Sequence, residues 1–375
     1  MRILLLAPHP FFTQRGTPIA VRLVCEGLSR LGHTVDVLTY HEGENIDCPG
    51  VTIHRIDQPR FVRRVPIGPS WQKIVCDIAL ARRLKRMLRE NRYDLIHAVE
   101  ESAFLAARSG LPFVFDMDSL MSQQLVEKSK LFWPASVIFK QLERGALRRC
   151  VGVLAVCESL AREARKHQSN VHVLPDVALA ANGACALPEL LIKTRGLRLM
   201  YVGNLQRYQG IDLMLDAFAT IAPAYPDAVL VIVGGNPAQI AAYSRKAARS
   251  KVIDQVRFVG EIPIDALART LSFSDILVSP RIKGENTPMK LYSYLMSGRP
   301  VLATRLPTHL QVVTDEHAFL VEPTVEAMAK GMRALIDSPE LRERLGTAGR
   351  ELASRCYAHD SFHQRLEAFY EKIAA

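Results

Sequence analysis

The sequence predicts an α/β chain of two successive doubly wound domains, each a parallel sheet with helices on both faces. Short apolar, β-branched runs alternate with stretches of helical periodicity, the pattern of strands that crossover helices bury on both sides. The alternation runs through the first half of the chain, lapses, and restarts. The length of 375 residues, 49% hydrophobic and 23% charged, is enough for two domains that each bury a core, and the balance excludes disorder and collagen-like structure.

Arg2–Ala7, Thr34–Thr39, Leu95–Ala98 and Phe113–Phe115 read as buried strands. Between the first two, Ile19, Leu23, Val24, Leu28 and Leu31 recur at helical spacing, and Gly32 supplies the stop. Val151–Val156 and Val171–Leu174 continue the series. Residues 176–195, with an Ala-Ala-Asn-Gly-Ala run and a proline, carry the weakest periodicity and read as a linker. The cycle restarts with Leu197–Gly203, Ala228–Gly235, Val256–Gly260, Asp275–Ser279 and Pro300–Thr304. Helices are predicted at Glu340–Leu352 and Asp360–Ile373, the second with Phe362, Leu366, Phe369, Tyr370 and Ile373 spaced to pack on something. The organisation is a Rossmann-like domain over 1–175, a second over 196–358, and a terminal helix in 359–375 packing back toward the first. Two such domains facing across a cleft bind ligands at the carboxyl ends of their strands.

The net charge of +10 is localised. Arg55–Arg92 holds 11 basic and 3 acidic residues. Within it, residues 70–88 set Trp71, Ile74, Ile78, Leu84 and Leu88 near one helical face, with Arg82, Lys85, Arg86 and Arg89 toward the other. Such a helix either packs into the core with its basic face solvated or lies on an anionic membrane. Nucleic acid ranks last, because no recognition motif accompanies the charge. No run is long enough for a membrane span or a signal-peptide core, and the 7 cysteines form no CxxC pair. The expectation is a cytoplasmic chain, with residues 55–92 available to the inner face of the cytoplasmic membrane. No His, Cys, Asp or Glu grouping has metal-ligand spacing. After the first strand, His9–Pro18 offers the single glycine Gly16 and no Walker lysine, which excludes a dinucleotide fingerprint and a P-loop.

The most specific stretch is Ser279–Thr304: a strand end, a polar loop, and a helix predicted to open with Thr287 as N-cap, Pro288 at the first position and Lys290 in the first turn. A lysine there opposes the helix dipole, and a bound phosphate would account for it.

Through Pro288, Lys290, Tyr294, Gly298, Pro300 and Val301 the stretch resembles the GT-B glycosyltransferases, more narrowly family four, the retaining nucleotide-sugar-dependent enzymes. The resemblance extends over the whole chain: Tyr201–Phe218 is similar to the family's strand, phosphate loop and helix, and Val231–Gly235, Arg257–Gly260 and Leu31–Thr39 to its neighbouring strands and turn. It implies a GT-B architecture and transfer of a sugar from a nucleotide-diphosphate donor to an acceptor hydroxyl with retention, commonly in surface-polysaccharide or glycolipid assembly. It implies no metal or other cofactor. The donor residues it implies are Gly16, Asn204, Arg207, Gln209, Gly210, Thr287, Lys290 and Ser293, with Asp118 and Glu285 catalytic. Glu100 and Glu101, at a strand end after His97, would touch a carbohydrate or lipid-linked acceptor, and the basic stretch fits an acceptor at a membrane.

The departures are specific. The family's Glu-x7-Glu pair is here Glu285 and Ser293, and serine cannot accept from two ribose hydroxyls as a carboxylate does. Asp118 stands where the family often has a histidine, and Asn204 and Gln209 replace an arginine and a lysine. Arg207 and Lys290 are then the nearest cations for a diphosphate. Two other readings stay open: a non-catalytic GT-B scaffold or regulatory subunit, and a nucleotide-sugar epimerase. His309 reads equally as a residue at the cleft rim or as a structural imidazole.

Overall fold

The computed structural model describes residues 1–13, 16–66, 70–128, 133–179, 196–284 and 287–374. They form two compact units, one of 1–175 with 362–375 and the other of 176–361.

The first unit contains β1 (Arg2–Ala7), α1 (Gly16–Arg30), β2 (Thr34–Thr39), β3 (Val51–Arg55), α2 (Trp71–Glu90), β4 (Leu95–Val99), α3 (Ala103–Ala106), β5 (Phe113–Met117), α4 (Met121–Lys128), α5 (Trp133–Arg149), β6 (Gly152–Ala155), α6 (Glu158–Ala164) and β7 (Val171–Val173). Its strands pair in the order β3-β2-β1-β4-β5-β6-β7, all parallel, with Ile3 beside Val35 on one side and Leu95 on the other. Side-chain alternation sends Leu4, Leu6, Ile96, Ala98, Phe113 and Phe115 to one face, where Cys76, Leu80 and Leu84 of α2, Ala103 of α3 and Ala146 and Leu147 of α5 cover them. Leu160, Ala161 and Ala164 of α6 belong to the same cluster. The chain's last helix, His359–Ala374, also belongs here: Phe362, Leu366, Phe369 and Tyr370 are buried, and Gly27 of α1 has no Cβ because Leu366 fills the space. His97 bridges it to the sheet, with Nε2 2.9 Å from Asp116 Oδ2 and Nδ1 2.7 Å from the Tyr370 hydroxyl.

The second unit contains β8 (Leu197–Val202), α7 (Ile211–Ile221), β9 (Ala228–Val233), α8 (Pro237–Arg249), β10 (Val256–Gly260), α9 (Leu267–Ser272), β11 (Ile276–Ser279), α10 (Lys290–Met296), β12 (Val301–Thr304), α11 (Pro307–Leu310), β13 (Phe319–Val321), α12 (Val325–Asp337) and α13 (Pro339–Cys356). Its parallel order is β10-β9-β8-β11-β12-β13, with one apolar cluster on each face. In both sheets the first strand lies inside, between the second strand and a later one, so chain direction switches sides there. Ligands of such sheets bind beyond the carboxyl ends at that switch.

The structure departs from the sequence reading in three places. β3, β13 and helices α3 to α6 occupy stretches that gave no strong pattern. β3 is a half-buried edge strand ending in His54 and Arg55, too polar to read as core. The helix predicted from Thr287 begins at Lys290 instead; Pro288 closes only a turn, accepting from Leu291 N–H at 2.8 Å, and the Thr287 side chain makes no cap. The apolar face read for α2 is also divided: Leu84 is buried and Leu88 packs on the core, but Trp71, Ile74 and Ile78 do not. Ser70 caps this helix, accepting from Lys73 N–H, but the buried stripe is Cys76, Leu80, Leu84 and Met87. Trp71, Ile74 and Ile78 are 55%, 62% and 50% exposed. They lie on the opposite side of the helix, along which Arg82, Lys85 and Arg89 follow, so apolar and basic residues share the solvent face end to end. Two stripes at helical spacing compete for the core, and the one nearer the sheet's Leu4, Leu6 and Ile96 wins.

Of the linker, residues 180–195 lie outside the described residues. Ala178 N–H donates to Tyr357 O at 3.0 Å, which fixes the preceding stretch to the second unit. Among the described residues no helix is long and apolar enough to cross a membrane.

Candidate functional site

At the carboxyl edge of the second sheet the chain leaves β8 through Gly203 and makes a short 3₁₀ turn, Arg207–Gln209, before α7. Gly210 ends the turn with φ +75°, and a Cβ there would overlap Pro280 O. Only glycine lets the loop after β8 pack so closely on the loop after β11. Ile282 N–H donates to Tyr208 O at 2.9 Å, joining the two loops.

Lys290 crosses into this junction. Its Nζ donates to Gln209 Oε1 at 3.0 Å and stands 3.9 Å from the Tyr201 ring centroid. A Cβ on Gly203 would lie 2.7 Å from the same Nζ, so the glycine makes room for the ammonium. Burial pulls the Lys290 ammonium well below the usual lysine range, and the Arg281 charge lowers it further. Among the described residues no carboxylate pairs with Lys290. Thr287 is buried with its hydroxyl unpartnered.

Arg281 is the cation that the sequence reading missed. Its guanidinium stacks on Tyr208 at 5.3 Å and its Nε donates to Lys283 O at 2.7 Å. Behind it, His309 is fully buried and braces the ends of β11 and β12: its Nδ1–H donates to Thr304 O at 2.7 Å, and its Nε2 accepts from the Ser279 hydroxyl at 2.9 Å. Burial, with the Arg281 and Lys290 charges behind it, drives His309 down to about 4, so it is neutral at physiological pH. The Thr304 hydroxyl donates to Arg281 O and completes the brace.

The other residues expected at the donor site take varied places. Asn204 is exposed, and its Oδ1 accepts from Gln206 N–H at 3.2 Å, which ties its side chain into the turn. Arg207 is exposed beside Tyr243, on whose phenol its charge acts. The cation felt by Lys290 is Arg281. Ser293 is buried and accepts from Leu179 N–H at 2.9 Å, so a backbone donor already occupies the hydroxyl. Glu285 lies outside the described residues. Gly16 opens α1 with nothing within 4 Å of where a Cβ would stand.

The carboxyl edge of the first sheet is acidic. Glu101 follows β4 and pairs with Lys73 of α2 at 2.6 Å, and Tyr40 donates to Asp77 at 2.5 Å. Burial raises Glu101 to about 7, against Lys73 and with Glu100 and Asp77; burial likewise raises Asp77 to about 6. Burial works against the Lys73 ammonium, yet Glu101 and Glu100 hold it above its ordinary value. Glu100 turns the other way and accepts from Ser119 at 2.7 Å, beside Asp118, which follows β5 partly buried. Glu100, Glu101 and the 118–119 bend therefore come together. Among the described residues no three of His, Cys, Asp and Glu are grouped as metal ligands.

Comparison with known proteins divides the chain as its folding does. The model "Glycosyltransferase Family 4" matches residues 15–176 and "Glycosyl transferases group 1" matches 187–352. The phosphatidyl-myo-inositol mannosyltransferase of Mycobacterium leprae is 24% identical over 397 residues, spanning 100% of this chain and 97% of the relative. The 2-deoxystreptamine glucosyltransferase of Streptomyces kanamyceticus is 28% identical, over 62% of this chain and 63% of its own. Among solved structures, sucrose-phosphate synthase from Thermosynechococcus elongatus superposes with a TM-score of 0.79 at 20% identity, covering 99% of this chain and 98% of that one. HepE of Anabaena, solved with UDP and glucose, gives 0.75 at 15% identity, covering 99% of each chain. At such identities these structures bear on the fold.

Proposed function

The chain belongs to the family-four GT-B glycosyltransferases, and from that premise we propose that its second unit binds a nucleotide-diphosphate sugar through Lys290 and Arg281 and passes a hexosyl group, with retention, to an acceptor hydroxyl held by the first unit. The observation that carries the reading is Lys290: a desolvated ammonium with one neutral amide partner, a second cation beside it and a buried, unpartnered threonine hydroxyl nearby. Such a group is electrostatically incomplete, and an anion completes it. A diphosphate gains negative charge as it leaves the sugar, so cations fixed in advance lower the barrier to departure. By the family resemblance, Glu285 is assigned a catalytic role.

The acidic edge of the first sheet suits a polyhydroxylated acceptor, because carboxylates accept from hydroxyl donors. The name of the Mycobacterium leprae relative, with a phosphatidylinositol acceptor, supports a lipid-linked one. Support for a bilayer location comes from α2, whose exposed Trp71, Ile74 and Ile78 precede Arg82, Lys85 and Arg89. Phe61, 80% exposed, stands with Arg60, Arg63 and Arg64 around a recess that Gln72 of α2 also lines. Apolar anchors among basic residues match an anionic membrane surface. The protein then works as a peripheral enzyme on the cytoplasmic face, and needs no metal.

The test is an assay of labelled nucleotide sugars with membrane lipid extract, followed by proton NMR of the product's anomeric centre. The expected result is an acceptor-dependent glycoside with the donor's anomeric configuration, formed equally in EDTA. Inversion, or a metal requirement, contradicts the reading. Turnover of donor without acceptor indicates an epimerase.

A further inference from the structure

α5 repeats the surface design of α2. Its first turns expose Trp133 (64%), Val137 and Ile138 (63%), and its later turns expose Lys140, Arg144, Arg148 and Arg149. The helix shows no acid to solvent, because its one carboxylate, Glu143, is buried and accepts from the Ser122 N–H and hydroxyl at 3.0 and 2.6 Å. The two helices also point the same way. α2 begins beside Glu101, at the carboxyl end of β4, and ends at Asn91, which accepts from Arg2 at the amino end of β1. α5 ends where Val151 N–H donates to Phe113 O, at the amino end of β5, so it too begins at the carboxyl edge. Both pack on the same sheet face. The chain has 2 tryptophans, and each is the first residue of one of these helices.

We propose that α5 is a second membrane-docking element, and that the first unit seats on an anionic bilayer at two points, Trp71 with Ile74 and Trp133 with Ile138. The inference rests on the membrane reading of α2 given above. Its occupant follows from charge: an exposed apolar tip backed by four basic residues and no exposed acid repels a basic partner and draws anionic headgroups, while tryptophan favours the boundary between headgroup and acyl chain. Two sites on one rigid sheet also fix the unit's tilt, which a single helix would leave free to rock. The acidic edge carrying Glu100 and Glu101, where the Trp-bearing end of α2 lies, is then presented to the bilayer surface.

The two tryptophans supply the test. Trp133→Phe leaves Trp71 as the sole reporter, and Trp71→Phe leaves Trp133. Each full-length variant is mixed with phosphatidylcholine vesicles, with and without phosphatidylglycerol, and with brominated acyl chains as quencher. The expected result is a blue shift and bromine quenching of both reporters in anionic vesicles, with Arg144→Gln and Arg148→Gln each weakening partition about fivefold. Trp71 shifting while Trp133 keeps its aqueous emission overturns the proposal and leaves the α2 reading standing. Silence of both reporters overturns the two together. A Trp133 shift without vesicles, in a protein that sediments as a dimer, assigns the patch to self-association and overturns it as well. Val137→Ser with Ile138→Ser, followed by vesicle flotation, gives an independent check: unchanged flotation contradicts the proposal.

Discussion

Lys73 and Lys290 hold matching places, each half-buried at the carboxyl edge of a parallel sheet beside the switch between its inner strands, and their ammonium groups move in opposite directions. Lys73 meets Glu101, with Glu100 and Asp77 near, and its charge is held above the ordinary range. Lys290 meets a glutamine, an aromatic face and Arg281, and its charge is disfavoured. The first edge is acidic with one cation to balance it; the second is cationic, and among the described residues no acid balances it. One fold has thus been given two chemistries, by side chains on the loops and not by the sheets that carry them. A polyol suits the first edge and a diphosphate the second.

The largest effect that can break this contrast is on stability. Lys73→Met strands buried carboxylates and should cost about 3 kcal/mol in urea unfolding, while leaving diphosphate affinity unchanged; wild-type stability would show that the acidic edge needs no counter-charge. Lys290→Met should do the reverse. It keeps or raises the melting temperature, since no charge need be desolvated, and weakens nucleoside-diphosphate binding about 10- to 100-fold by calorimetry.

pH sharpens the contrast. Glu101 and Asp77 titrate higher in the folded protein, near 7 and 6, than a free carboxylate does. Their contribution to stability is therefore full below the unfolded carboxylate range and lost as pH rises through 6 and 7, a fall that Glu101→Gln should flatten. Diphosphate binding follows Lys290: affinity declines as pH rises and the ammonium loses its proton, and calorimetry in buffers of different ionisation enthalpy should detect proton uptake. The smallest effect belongs to Ser293→Ala, which removes the acceptor for Leu179 N–H and should cost about 1 kcal/mol of stability with little change in diphosphate affinity. A large loss of affinity would mean that Ser293 holds the ribose.

The sequence made Lys290 legible because a cation in the first turn of a predicted helix asks for an explanation, even though the helix begins later than its proline implied. Arg281 was not legible: nothing in its spacing separates it from Arg299 or Arg305, and its place depends on the pairing of Ile282 with Tyr208 across two loops. The inner strands were readable because each is buried on both faces; of the four edge strands, β7 and β10 were still legible from their valines, whereas β3 is too polar and β13 too short to stand out. On α2, periodicity put Trp71, Ile74 and Ile78 on the core face with Leu84 and did not single out Cys76, Leu80 and Met87, which with Leu84 face the sheet. The surface of α5 was hidden by Glu143, which in sequence looks like a solvated acid among arginines and in the fold is the buried anchor of α4.

The most direct test of the account is a calorimetric titration of UDP, GDP, ADP and dTDP into the wild-type protein and into Lys290→Met. The account predicts that one diphosphate binds the wild type with proton uptake and that the variant, folded and equally stable, loses most of that affinity. Equal affinity in the two proteins would remove Lys290 from the donor site and contradict the central claim.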